Sequence, residues 1–233
     1  DLLARKHAEM TTMSKGGKPM SLSALELMSL LSIPGVGAAR VRRIVNLVHR
    51  SYSGGSETSG IESILASVLT PDQLQKLPEC RTRAEEEHEA LRRIGTVVLA
   101  IGDSRYPTSL IQKLGDSAPL LLLCIGNLDI LNSPSVGFCG SRSASEKGMA
   151  AAWDSAASLA HAKVNVVSGY AAGVDLKAHE AALNAGGTTT VVLAEGLLRF
   201  KIKKDVKRVW DENRTLVISE FGAKGVWSVG SAM

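Results

Sequence analysis

Aromatic residues are scarce in this chain. Phe, Trp and Tyr make up 4% of its 233 residues, too few for a recognition surface built mainly from stacked rings. Cysteine is equally sparse. Cys80, Cys124 and Cys139 are odd in number and share no metal-ligand or redox spacing, so the sequence specifies neither a disulfide framework nor a metal site. With no signal peptide visible, reduced thiols in a cytoplasm are expected, and Cys124 and Cys139, set in apolar runs, are expected in the core. Long hydrophobic runs are also missing: Pro119–Ile125, the longest, is far too short to span a bilayer. No Gly-x-Gly-x-x-Gly follows a strand-like run, no acid closes the second such run to hold a ribose, and no Walker lysine motif occurs. A standard nicotinamide or P-loop site is thereby excluded. No Ser-His-Asp or metal pattern stands out, so neither a catalytic set nor a cofactor is assigned.

The chain does have ordinary globular composition, 45% hydrophobic and 21% charged, with a formal net charge of +4. The basic excess is local. Residues 199–214 carry seven Lys or Arg against three acids, a balance compatible with an anionic partner.

Residues 1–20 show no sustained period and read as a mobile tail. From Leu22 the pattern turns helical, with Leu22, Leu25, Met28 and Leu31 at three-residue steps and Ser21 or Ser23 as cap. Ile33-Pro34-Gly35-Val36-Gly37 breaks that helix. A second follows with Val41, Ile44, Val45 and Val48 on one face. Ser51–Gly60 reads as a loop, then short helices are expected at Ile61–Leu69 and Pro71–Lys76 and a charged one over 81–94. Past Thr96 the period changes. Strands are expected at 97–101, 120–125, 135–139, 164–168, 188–194 and 215–219, with helices at 144–161, 173–185 and about 203–212 between them. This alternation specifies an α/β fold, a doubly wound, mainly parallel Rossmann-like sheet, preceded by a small all-helical domain. The domains are placed at 21–94 and 95–233.

In such a sheet the carboxyl ends of the strands form the ligand rim. Gly140-Ser141-Arg142 follows one strand, Ser168-Gly169 ends the next, and Gly173-Val174-Asp175 opens a helix. Glycines let an anion approach backbone N–H groups, and arginine pairs phosphate bidentately, so the rim reads as a phosphate cradle. Without an anion, the same residues serve a plain strand-to-helix turn. Asp175 reads as a helix cap. With His179 four residues on, it forms either an acid–base pair or a hydrogen-bonded pair that orients the loop. Glu195-Gly196 and Ser219-Glu220 place two acids on the rim, to hold a cation, accept from a base or sugar, or tie loops.

At these residues the chain resembles the DprA (Smf) family of DNA-processing proteins. Gly140-Ser141-Arg142, Ser168-Gly169, Ala172-Gly173-Val174-Asp175, Ala178-His179, Gly186-Gly187-Thr188 and Ser219-Glu220-Phe221 carry it, with Tyr106-Pro107, Leu110 and Pro119-Leu120 to Gly126 as lead-in. The resemblance implies an extended Rossmann fold, single-stranded DNA as ligand, a RecA-type recombinase as partner in natural transformation, a homodimer, and a cytoplasmic location away from membranes. It implies phosphate contacts at Gly140, Ser141, Arg142, Ser168, Gly169, Gly173, Asp175, His179 and Gly196. Two departures stand out. The family's basic residue before Gly173 is replaced by the neutral Ala171 and Ala172, and its Gly-Leu-Asp with following Tyr-Pro by Gly196-Leu197-Leu198-Arg199-Phe200. Lys201, Lys203 and Lys204 of the basic run are expected to compensate. Similar proteins continue past this point with an Arg-Asn-Arg segment and two further strands, so a complete site is expected to need that half or a partner chain.

Ile33–Gly37 with the helix after it looks like a helix-hairpin-helix, in which Gly35, Gly37 and Arg40 would meet a DNA phosphate without reading sequence. A helical module that packs or dimerises is the other reading. The leading functional expectation is sequence-independent single-stranded DNA binding. The alternatives are a nucleoside-monophosphate-hydrolysing Rossmann enzyme, whose Pro-Gly-Gly-x-Gly-Thr pattern is absent here, and a nucleotide or nucleic-acid sensor.

Overall fold

Ser23 starts the first helix, α1 (Ala24–Leu31), through a reciprocal cap. Its hydroxyl accepts the Glu26 N–H at 3.2 Å, and the Glu26 carboxylate accepts the Ser23 N–H at 2.7 Å. Each such cap contributes about 1 kcal/mol by satisfying N–H groups that the helix itself leaves open. Leu27, Met28 and Leu30 are buried, while Leu25 and Leu31 of the expected three-residue stripe are half-buried. The computed structural model describes residues 21–53, 60–223 and 225. The expected tail 1–20 and most of the loop expected over 51–60 lie outside the described residues.

Gly35, at φ +76°, turns the chain into α2 (Ala38–Ser53), which buries Val41, Ile44 and Val48 on one stripe. Two more helices complete the set, α3 (Ile61–Val68) and α4 (Pro71–Arg93). α4 corrects the expectation of separate helices over 71–76 and 81–94. It runs straight through Pro78 because its inward stripe continues on both sides, with Gln73, Cys80 and Ala84 buried and Leu77 half-buried at steps of three and four. Packing on that stripe outweighs the single hydrogen bond a proline removes. Pro78→Ala restores an N–H opposite the Leu74 carbonyl. We expect it to raise the urea-derived unfolding free energy by about 1 kcal/mol. A drop would show that stiffening of the unfolded chain by proline is the larger effect.

Among the described residues two compact units emerge, one within 21–90 together with 98–122, the other 91–97 together with 123–225. The stretch 98–122, expected with the sheet domain, thus groups with the helices. Within that unit the Arg42 guanidinium donates to the Ala118 carbonyl, the Tyr106 hydroxyl to the Pro119 carbonyl at 2.7 Å, and the Ile101 N–H to Leu120 at 3.0 Å. It carries most of β1 (Val97–Ala100), α5 (Thr108–Leu114) and the first residues of β2 (Leu121–Gly126).

The second unit continues with β3 (Ser135–Gly137), α6 (Glu146–His161), β4 (Asn165–Ser168), α7 (Val174–Asn184), β5 (Thr189–Leu193), α8 (Lys204–Lys207) and β6 (Thr215–Ser219). The sheet order is β1-β2-β6-β5-β4-β3. β3 to β6 are parallel, and β2 meets β6 antiparallel with Ile125 opposite Val217. The fold is therefore the expected mainly parallel α/β sheet with a helical region before it. Val166 of β4 sits under Ala156 and Ala160 of α6 and Ala178, Ala181 and Ala182 of α7. Alanine on both helices allows close approach, and at Gly187 a Cβ would lie 2.4 Å from that of Ala160.

Two expectations fail here for local reasons. Cys124 and Cys80 are buried, but Cys139 is exposed, because β3 is the last strand of the sheet and ends at Gly137. The helix expected over about 203–212 is only the single turn of α8. It ends at Lys207, and farther on Asp211 accepts from the Asn213 N–H at 2.9 Å and from Arg214 Nε at 2.7 Å, forming a turn in place of the expected last helical residues.

Candidate nucleic-acid interface

Because β3 to β6 run parallel, the loops after them open on one side of the sheet, and side-chain hydroxyls stitch neighbouring loops together. Ser168 Oγ donates to the Phe138 carbonyl at 2.8 Å, and Ser219 Oγ to the Glu195 carbonyl at 2.7 Å. The Val174 N–H donates to the Ser141 carbonyl at 3.2 Å. Two glycines make that contact sterically possible. A Cβ at Gly140 would lie 2.6 Å from a Val174 methyl, and one at Gly173, whose φ is +85°, would lie 2.3 Å from the Ser141 oxygen. Segments 140–142 and 173–175 thus meet in backbone contact, and Ser168 ties the third segment to them through its side chain.

Gly140, Ser141 and Arg142 are exposed on this rim. Ser141 Oγ accepts the Ser143 N–H at 3.1 Å, which shapes the loop and holds Arg142 at its tip. The following helix, α6, is capped by Ser145, whose hydroxyl takes the Gly148 N–H at 3.3 Å. Glu146 then occupies the first turn. A carboxylate thus already complements the positive end of that helix.

The 169–173 loop is held residue by residue. Ala171 donates its N–H to Asp175 Oδ2 at 3.4 Å, and the Gly169 carbonyl lies 2.7 Å from His179 Nε2. His179 is fully buried, with Nδ1 2.6 Å from Thr189 Oγ1. The two ring nitrogens thus contact Gly169 and Thr189 rather than Asp175, so neither direct phosphate contact nor the acid–base reading of this pair has geometric support. Burial pulls the imidazole below its ordinary pKa, partly offset by the Gly169 carbonyl and the Asp175 charge, with Lys203 adding to the depression. Asp175 and His179 are therefore braces of the loop, and Ser168, 5% exposed, is another.

Tyr170 supplies a link that the sequence did not announce. Its carbonyl accepts from the Lys203 ammonium, its hydroxyl accepts the Lys203 N–H at 2.8 Å, and its ring lies 4.6 Å below that ammonium. Burial raises the Tyr170 phenol pKa, so the group stays neutral. The ring also meets Phe200 at 5.5 Å, which in turn meets Trp210 at 5.7 Å. A third of the chain's nine aromatic residues thus gather beside the rim. The signal in the sequence was an aromatic in each of three loops, legible only once their long-range pairing is known.

Gly196 departs from its expected role. Its N–H donates to the Gly225 carbonyl at 2.9 Å, and a Cβ there would lie 2.3 Å from the Ala223 oxygen. It is a close-packing glycine, not an anion contact. Lys201 and Lys204, which flank Lys203, are exposed.

In the helical unit Gln73 fastens the glycine hairpin. Its Nε2 donates to the Pro34 carbonyl at 3.3 Å, and its Oε1 accepts from Arg40 at 3.3 Å. Gly35 and Gly37 are exposed, and nothing lies within 4 Å of a Cβ placed at Gly37. Arg40 and Arg42 both hold hydrogen bonds within this unit, and Arg40, like Arg43, is exposed.

A sequence model of the family described as DNA recombination-mediator protein A matches residues 97–227, more than half of the chain. The chain belongs to this family, the DprA family. Among curated relatives, the DNA processing protein DprA of Streptococcus pneumoniae is 42% identical over 125 residues, 53% of this chain and 43% of that protein. A putative DprA of Mycobacterium tuberculosis is 34% identical over 125 residues, 49% of this chain and 32% of that protein. The X-ray structure of the Streptococcus pneumoniae DprA superposes with a TM-score of 0.68 at 27% identity, over 91% of this chain and 72% of that one. The chain thus spans less than half the length of the curated relatives it matches. The DprA match takes in every rim segment described above.

Proposed function

We propose that the rim binds single-stranded DNA through its phosphates, without reading sequence, and that the protein serves DNA processing by presenting that strand to a RecA-type recombinase. The observation that carries this reading is the Lys203 ammonium on the Tyr170 carbonyl. It brings the basic run to the loop that lacks its own cation, beside the backbone that joins Val174 to Ser141 and Arg142. The contacts fall to Gly140, Ser141, Arg142, Gly169, Gly173, Lys201, Lys203 and Lys204, with Ser168, Asp175, His179 and Gly196 holding the loops. Membership of the DprA family supports the same reading. Phosphate contacts fix position and carry no base information, which fits a strand binder indifferent to sequence. Gly35 and Gly37 of the hairpin offer a second phosphate contact. A homodimer and a cytoplasmic location belong to the proposal through the family resemblance; among the described residues no helix is long and apolar enough to cross a membrane.

Arg142→Ala is expected to weaken binding equally for oligonucleotides of different sequence. It should also lower the slope of log affinity against log salt by about 0.7, the increment for one single-strand phosphate. Fluorescence anisotropy at several salt concentrations, with single- and double-stranded probes, reads both quantities. Unchanged affinity and slope would remove Arg142 from the interface.

A further inference from the structure

The rim is divided in charge. The loops after β3 and β4 hold Arg142 and, on the Tyr170 carbonyl, the Lys203 ammonium. The ends of β5 and β6 carry acids instead. Glu195 follows β5 and Glu220 follows β6, and the bond from Ser219 Oγ to the Glu195 carbonyl keeps the two ends side by side. Among the described residues no hydrogen bond or ion pair engages either carboxylate. A strand whose phosphates cross Arg142 and Lys203 therefore meets repulsion if it continues over β5 and β6.

A second direction is open. From Lys203 the chain descends alongside α7. The Lys203 N–H meets the Tyr170 hydroxyl just ahead of that helix, and Arg214 Nη1 donates to the Leu183 carbonyl at 2.8 Å in its last turn. α7 has 11 residues, about 16 Å of rise. Val206, fully buried, anchors α8 against α7 and leaves Lys204, Lys207 and Arg208 exposed. Lys207 and Arg208 lie three and four residues past Lys204, so the three share one face of the turn.

Like charges at that spacing weaken a helical turn. Asp205 is the one acid among residues 201–208, against five cations. Among the described residues no ion pair relieves Lys204, Lys207 or Arg208. On α4, by contrast, exposed cations are paired at four-residue spacing, Lys76 with Asp72, Arg81 with Glu85 and Arg83 with Glu79. A repulsion that the fold leaves uncompensated points to an external polyanion.

We propose that the bound strand leaves the rim between β4 and β5 and follows this basic descent, its phosphates passing from Arg142 and Lys203 to Lys204, Lys207 and Arg208. This path rests on the phosphate reading of the rim and adds Lys207 and Arg208 to it. It makes affinity depend on strand length, because a short oligonucleotide fills the rim alone and a longer one also reaches α8.

Fluorescence anisotropy with oligothymidylates of about 4 and about 16 nucleotides, which bracket common single-strand site sizes, tests the path. The double variant Lys207→Ala, Arg208→Ala is expected to weaken the longer probe about tenfold. It should also lower that probe's salt slope by about 1.4, or about 0.7 for each phosphate contact, and leave the shorter probe unaffected. Arg81→Ala with Arg83→Ala removes the same charge from α4 and should alter neither probe. Equal weakening of both probes by the α8 variant, or of neither, would overturn the path. So would a longer probe that tightens on Glu195→Gln with Glu220→Gln and ignores the α8 variant, since that strand runs over β5 and β6. Arg142→Ala weakens both probes if the rim holds phosphate, whatever the response at α8, so failure of the rim and failure of the descent are told apart.

Discussion

Replacing Gly173 with alanine is expected to destabilise the protein by roughly 3 kcal/mol and to abolish most strand binding. Two separate effects contribute. At φ +85° and ψ −129° an L side chain lies outside the left-handed helical well, in a region nearly confined to glycine, which costs on the order of 1–3 kcal/mol for alanine. The new Cβ would also lie 2.3 Å from the Ser141 oxygen and 2.7 Å from that of Arg142. Both are backbone atoms, so relief requires moving the loop that carries Arg142. Gly186 provides an internal control. Its φ of +80° is nearly the same, but nothing lies within 4 Å of its Cβ position. Gly186→Ala therefore incurs the conformational cost alone and should leave DNA affinity unchanged. Urea titration of both variants reads the excess cost at Gly173, set by the collision together with its ψ of −129°, as the difference in unfolding free energy, provided the m-values agree. Equal destabilisation of the two would refute the claim that close packing of the two loops sets the rim.

That pair of glycines also shows how far the sequence reaches. Local chemistry is read directly. β6 falls at Thr215–Ser219 as expected, and Ser23 and Ser145 cap helices through side-chain bonds that span only three residues. The placement of 140–142 beside 173–175 was also legible, because parallel strands force consecutive loops onto one side. What stayed hidden depends on contacts far apart in the chain. Lys203 reaches Tyr170 across 33 positions, and no periodicity encodes that meeting. Pro78 reads locally as a helix end, yet the packing of a long stripe carries the helix through it. Cys139 sits in an apolar run but past the end of an edge strand, and edge status is a property of the whole sheet rather than of the run. His179 sits in a motif shaped like a ligand site, and only its burial shows that it braces the loop from behind.

His179 carries the other large expected effect, and it is dependent on pH. A carbonyl only accepts, so Nε2 must hold a proton against the Gly169 oxygen at 2.7 Å. Thr189 Oγ1 lies 2.6 Å from Nδ1 and 2.8 Å from the Val166 carbonyl, so its one hydroxyl proton serves a single acceptor. A charged ring would satisfy all three contacts, but burial opposes the charge more strongly and lowers the folded-state pKa. The Asp175 charge works against that shift and Lys203 adds to it. The sign follows by linkage: below the ordinary histidine pKa of about 6.5 the unfolded chain binds the proton first. Stability is therefore full above that pH and declines as pH falls toward the depressed folded-state value. His179→Gln retains a donor and an acceptor but does not titrate. It should lower the unfolding free energy by about 2 kcal/mol near neutral pH, because the buried partners lose their alignment. Its deficit against the wild type should shrink from about pH 7 to pH 5, since only the wild type has this linkage. Urea titrations of both proteins across that window read the two slopes. Parallel slopes would mean that the ring does not titrate differently in the folded and unfolded states. The same variant frees the Gly169 carbonyl and loosens the 169–173 loop, so strand affinity at neutral pH should drop while that of Gly186→Ala does not.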